Sequence, residues 1–216
     1  VLLSPAALFA SAKEHDDSIE ENDDISAEEA LRLLMEGNSR YVSGNITQNG
    51  QNMVQRRIEL ISGQDPYAVV LGCSDSRIPP EIIFDQGLGD IFVVRTAGQV
   101  LDNASLGSIE YAVEHLQVPL VVVLGHDGCG AVNATLEGGE APCHMKCLVE
   151  SIQPAVDEAR ITGNESELLD NSIDNNIKNI ERELKNASSI LSERVKNGEL
   201  AIVAARYNME TGVVVI

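Results

Sequence analysis

The chain has 216 residues, 44% of them apolar, with no Trp, three Phe and a formal charge of −19. That length buries an aliphatic core in one domain without disulfide staples. Such an acidic excess excludes a nucleic-acid role, which needs basic surface to displace counterions, and disfavours docking on anionic lipid; no apolar run is long enough to span a membrane.

The chain begins with an apolar run, Val1–Ala12, that ends in Ala10-Ser11-Ala12 and passes at once into charge. It reads as the later part of a secretory signal with its small-residue cleavage site, and export to a periplasmic or extracellular compartment is the expectation. An apolar arm packing on a neighbour, in a cytoplasmic protein, is the alternative. From Lys13 to Glu29 there are nine Asp or Glu against one Lys. This composition predicts a solvated, disordered leader; the spacing and Gly of a calcium-binding EF-hand loop are missing. Residues 1–25 are therefore read as signal remnant and leader, and 26–216 as the folded domain.

Ser26 followed by Glu29 has the form of a capping box, and Leu31, Leu34, Met35 and Tyr41 give the helix behind it an apolar stripe. A second, more polar helix is predicted over Met53–Ile61, stopped by Gly63. Strand-length apolar runs follow at Tyr67–Leu71, Asp90–Val94, Leu120–Leu124, Leu200–Ala205 and Val213–Ile216. The first four are nearly continuous in Val, Ile, Leu and Ala, as parallel strands buried on both faces are. Between them lie helical patterns at Ala104–Leu116 and from about Ser172 to Lys196. Alternation of this kind predicts an α/β fold: a mostly parallel sheet of four strands, flanked by helices and preceded by an N-terminal helical arm. The last strand returns through Glu210-Thr211-Gly212 and is expected to be antiparallel at the edge.

Two segments carry the chemistry. Cys73-Ser-Asp-Ser-Arg77 follows the first predicted strand, and Gly125-His-Asp-Gly-Cys-Gly130 follows the third. Open α/β sheets bind ligands beyond the carboxyl ends of their strands, so both segments arrive at one edge. Cys73, His126 and Cys129 supply two thiolates and an imidazole, a donor set that selects zinc and leaves a fourth position for water. Cys129 is expected in the first turn of a helix, where the thiolate is favoured. Asp75, held by Arg77, can accept a hydrogen bond from that water; released, it can occupy the fourth position itself. The plainer reading of the pair is an exposed ion pair worth little. Bound zinc brings the pKa of water from about 15.7 to near 7, which makes a nucleophile at neutral pH.

The segments C-S-D-S-R-I-P-P-E, F-V-V-R-T-A-G and G-H-D-G-C-G-A-V, in this order and spacing, resemble the β-class carbonic anhydrases from about Ser26 to Ile216. The resemblance implies one Zn2+ per subunit, reversible conversion of CO2 and water to bicarbonate and a proton, Cys73, His126 and Cys129 as ligands, and Asp75 with Arg77 as the catalytic dyad. It also implies a homodimer, often paired into tetramers, with N-terminal helices embracing the partner and narrow apolar sites near the subunit interface. Gln64, Phe92 and Tyr111 match substrate-pocket positions of the plant-like branch, whose site stays open to water. Where the bicarbonate-inhibited branch carries Trp, this chain has Val70; Arg95 matches another position of that inhibitory site. His115 matches a proton-shuttle position, although a solvent-exposed helix-end His is the simpler account. Two rival functions remain at this stage: a carbonyl sulfide or carbon disulfide hydrolase on the same scaffold, and a non-catalytic member stabilised by zinc. Cys143 and Cys147 are open between a local disulfide, a second metal site with His144, and free thiols.

Overall fold

Ser26 starts the first helix as expected: its hydroxyl accepts the Glu29 N–H at 3.1 Å. The Glu29 carboxylate does not reach back to complete the box; it pairs with Arg32 instead. The computed structural model describes residues 25–47, 53–162 and 164–216, so the predicted signal and nearly all of the leader lie outside the described residues. Helix α1 (Ala27–Ser43) buries Ala30 and Leu34 and ends where Gly44 takes a left-handed conformation, φ 74°. Helix α2 (Met53–Glu59) stops two residues short of the predicted end and buries none of its residues.

Strands β1 (Ala68–Cys73), β2 (Ile91–Thr96), β3 (Leu120–His126), β4 (Ala201–Tyr207) and β5 (Val214–Val215) form one sheet in the order β2-β1-β3-β4-β5. The first four are parallel and β5 runs antiparallel to β4, as the apolar runs predict. Strands β1, β2, β3 and β4 extend further than their apolar runs, because pairing continues: Cys73 lies opposite Thr96 and His126 opposite Tyr207. Only β1 and β3 are buried along their whole length. The expectation of full burial fails for β2, which is largely half-buried, and for β4, where buried and half-buried residues intermix. Strand β2 is an edge strand with one side unpaired, and β4 has only two residues of β5 beyond it.

Two helix groups cover the sheet. Helix α4 (Asn103–His115) packs on β2 and against α8 (Ser189–Asn197). Helices α5 (Gly130–Glu137), α6 (Met145–Thr162) and α7 (Leu168–Leu184) pack on one another, with α7 on β3 and β4. The single helix predicted from Ser172 to Lys196 is in fact α7 and α8. The chain leaves α7 through tight turns (Asn186 N–H to Glu183 O, Ala187 N–H to Leu184 O), and Ser188 caps a new helix by accepting the Leu191 N–H. A short helix α3 (Pro80–Ile83) follows the Cys73 loop. Asn38 on α1 is buried and ties three distant segments, donating to Ile83 O and Gly212 O and accepting the Val214 N–H.

Candidate metal centre and catalytic dyad

Parallel pairing of β1 with β3 brings their carboxyl ends side by side, with Gly72 opposite Leu124. Cys73 and His126 are the last residues of these strands rather than residues beyond them. Past His126 the chain turns through Gly128, φ 60°, a conformation that favours glycine. Cys129 then stands as the N-cap of α5, one position before the helix in which it was expected. The ligand atoms of Cys73, His126 and Cys129 all lie within 4.8 Å of one another, and their residues are 4%, 0% and 2% exposed. This group could hold a metal ion.

Three observations fit that use. His126 Nδ1 donates to the carbonyl of Asp127 at 2.9 Å, which leaves Nε2 with its lone pair, and that buried Nε2 has no hydrogen-bond partner. A buried polar atom without a partner costs a few kcal/mol, and coordination would satisfy it. The two thiols act on each other: the neighbouring Cys129 draws the Cys73 thiol well below the ordinary thiol range, while Cys73 and burial push the Cys129 thiol up. The N–H groups opening α5 pull Cys129 downward, as a helix N-terminus should, but do not prevail. A divalent cation would favour loss of the proton that Cys129 retains. Finally, the Gly98 N–H donates to Cys73 Sγ at 3.2 Å, a hydrogen bond suited to a thiolate.

Asp75 and Arg77 form a forked pair, with Nε to Oδ1 at 2.9 Å and Nη2 to Oδ2 at 2.7 Å, and the Arg77 backbone N–H adds a third bond at 3.0 Å. The guanidinium holds the Asp75 carboxyl well below the usual carboxylate range. Asp75 Oδ2 lies 3.9 Å from His126 Nε2, so the ionised carboxylate borders the space into which Nε2 points. Arg95 was matched in the sequence to an inhibitory position. Its guanidinium here donates to Cys73 O at 2.8 Å and Asp75 O at 2.6 Å, fixing the loop that carries ligand and dyad.

The pocket residues read from the sequence are not gathered around this centre within one chain. Phe92 pairs with Val69, four residues before Cys73, which is about 13 Å along the strand. Tyr111 stacks near Phe92, with centroids 6.4 Å apart, and His115 lies 5.2 Å from Tyr111 on the same helix face. His115 is exposed on the last turn of α4, and Gln64 is exposed on the segment leading into β1, at the end away from Cys73. Cys143 and Cys147 are exposed, free thiols, and no second group of this kind occurs among the described residues. Sequence reading missed Gly98, Arg95 as a loop clamp, and Asp127. All three lay inside quoted segments, Arg95 and Gly98 in F-V-V-R-T-A-G and Asp127 in G-H-D-G-C-G, but nothing in those segments shows which atoms they would bond.

Residues 68–214 match the family model described as carbonic anhydrase. Carbonic anhydrase 2 of Mycobacterium tuberculosis is 47% identical over 191 residues, covering 85% of this chain and 89% of that protein. The carbonic anhydrase of Mycolicibacterium smegmatis is 44% identical over 187 residues, with 85% and 89% covered. Among solved structures, a β-carbonic anhydrase of Aspergillus fumigatus superposes with a TM-score of 0.67 at 27% identity, over 74% of this chain and 81% of that one. The chain belongs to the β-class carbonic anhydrase family. It is a carbonic anhydrase, an enzyme of reversible CO2 hydration.

Proposed function

We propose that the metal is zinc, one ion per subunit, held by Cys73, His126 and Cys129, with Asp75 and Arg77 as the catalytic dyad. The observation that carries this reading is the buried, unpartnered His126 Nε2 standing among two sulfurs and a neighbouring carboxylate. Zinc, when bound, supplies Lewis-acid activation of water at neutral pH. Asp75 stays ionised because Arg77 grips both of its oxygens, and it accepts a hydrogen bond from the attacking water, turning a lone pair toward CO2. While Arg77 holds it in this way Asp75 is kept from ligating the metal, so the site is of the open kind. Arg95 keeps Cys73 and Asp75 in register by bonding both of their carbonyls.

Gln64, Phe92 and Tyr111 serve as the substrate pocket of a second copy, in a homodimer. Their distance from the metal ligands in one chain supports this, as do the half-buried edge strand β2 and the uncovered apolar side chains of α2, Met53, Val54 and Ile58. The Gln64 amide would bond substrate oxygen and Phe92 would keep the cleft apolar for CO2. His115, exposed beside Tyr111, stands as the proton-shuttle candidate. Export is proposed from the apolar Val1–Ala12 run and its Ala-x-Ala end, to be checked by fractionation and N-terminal sequencing of the mature protein.

Stopped-flow CO2 hydration combined with zinc analysis tests the central reading. Rapid turnover with about one zinc per chain is expected; metal-free protein, or preferential turnover of carbonyl sulfide, would overturn it.

A further inference from the structure

Asp127 sits between two of the proposed ligands, and every one of its polar groups is engaged. Its carbonyl accepts His126 Nδ1 at 2.9 Å, its N–H donates to Tyr207 O at 3.1 Å, and its Oδ2 accepts the Met209 N–H at 3.3 Å. Its Oδ1 accepts Arg206 Nε at 2.6 Å. Arg206 comes from β4, opposite Gly125 in the ladder, and reaches over the end of β3. Its other two nitrogens go to α7: Nη2 to Asp170 Oδ1 at 2.5 Å, and Nη1 to Asp174 Oδ1 at 2.8 Å and Asp170 O at 3.4 Å. One cation, mostly covered, thus gathers three carboxylates beside the metal loop.

We infer that Arg206 is a positioning residue for the metal centre, acting through Asp127 on the orientation of His126. The inference rests on the zinc reading above. A metal-ligating imidazole works in one tautomer and one orientation, and both are set by the acceptor on its other nitrogen. That acceptor is the Asp127 carbonyl, and the direction of the carbonyl depends on where its side chain is anchored. Without Arg206, three carboxylates face one another with no intervening cation. Asp127, on a loop that turns at Gly128, would keep only the Met209 N–H on its carboxylate and would shift under that repulsion. That shift would turn the His126 acceptor and, two residues on, move Cys129. Arg206 also ties β4 to α7, and a purely structural role would consist of that tie alone.

The test separates the two roles by measuring zinc affinity, in competition with a chromogenic chelator, alongside the thermal unfolding midpoint and the visible spectrum of the cobalt-substituted protein. Arg206→Met is expected to weaken zinc binding by about 10–100-fold and to alter the cobalt bands. Asp127→Ala leaves Arg206 its two partners on α7 and is expected to weaken zinc binding in the same direction. Asp170→Ala combined with Asp174→Ala removes both carboxylate partners of Arg206 on α7 while sparing Asp127; it should lower the unfolding midpoint and leave zinc affinity unchanged. Wild-type affinity and cobalt spectrum in Asp127→Ala, or a loss of zinc in the double variant equal to that in Arg206→Met, would overturn the inference alone. Failure of the wild-type chain to take up zinc or cobalt would overturn the proposed function with it.

Discussion

Asp75 and Arg77 are two residues apart, yet the pair is more than a surface ion pair because its carboxylate borders the metal-ligand cluster at 3.9 Å from His126 Nε2. Asp75→Asn keeps the shape but loses the negative acceptor; zinc content should stay at the wild-type level while CO2 hydration falls about a hundredfold or more. Full activity in this variant would remove Asp75 from the mechanism. The depressed carboxyl also sets a sign for stability. Its contribution is complete above the ordinary carboxylate pKa of about 4 and is lost as pH falls through the lower folded-state value. Below about pH 4 the wild-type unfolding midpoint should therefore fall more steeply than that of Asp75→Asn. Cys73→Ser replaces a soft ligand by a hydroxyl and should release the metal, read directly as zinc per chain after dialysis.

At the scale of elements, the packing depends on close contacts that two glycines permit, one of them beside the metal centre. A Cβ at Gly125, just before His126, would lie 2.4 Å from Ile177 on α7. Gly125→Ala should destabilise the fold by about 1–3 kcal/mol in denaturant titrations, and Ile177→Val in the same chain should recover part of that loss. At Gly37 the clash is with backbone: a Cβ would stand 1.7 Å from the Phe84 carbonyl oxygen, where no side chain can yield. The alternation of strands and helices was legible because buried parallel strands read as unbroken apolar runs. The break between α7 and α8 was not, because the apolar period continues across Ser188 and only a local cap interrupts it. Helices α3 and α6 escaped the reading, α3 being only four residues long, while α5 was expected only as the helix opening at Cys129.

For the molecule as a whole, the separation of Gln64, Phe92 and Tyr111 from the metal ligands predicts that activity belongs to an assembly. Equal mixing of Asp75→Asn with Gln64→Leu chains, after subunit exchange, should restore about a quarter of the wild-type rate, since one site of each hybrid dimer then holds both native residues. No recovery would place Gln64 outside a shared site. Charged substitutions at Val54 and Ile58, both exposed on α2, should yield monomers that bind zinc and turn over CO2 slowly, as seen by sedimentation and stopped flow.

The sequence by itself determined the α/β alternation, the three soft donors and the Asp75–Arg77 pair, because each of these is written within a few neighbouring residues. Tertiary structure decided the rest: that the ligand atoms converge within 4.8 Å, that Arg95 clamps two carbonyls, and that Arg206 meets Asp127 from 79 positions away. Contacts of that kind depend on strand order and register, which place distant segments side by side and leave no periodic trace in the chain.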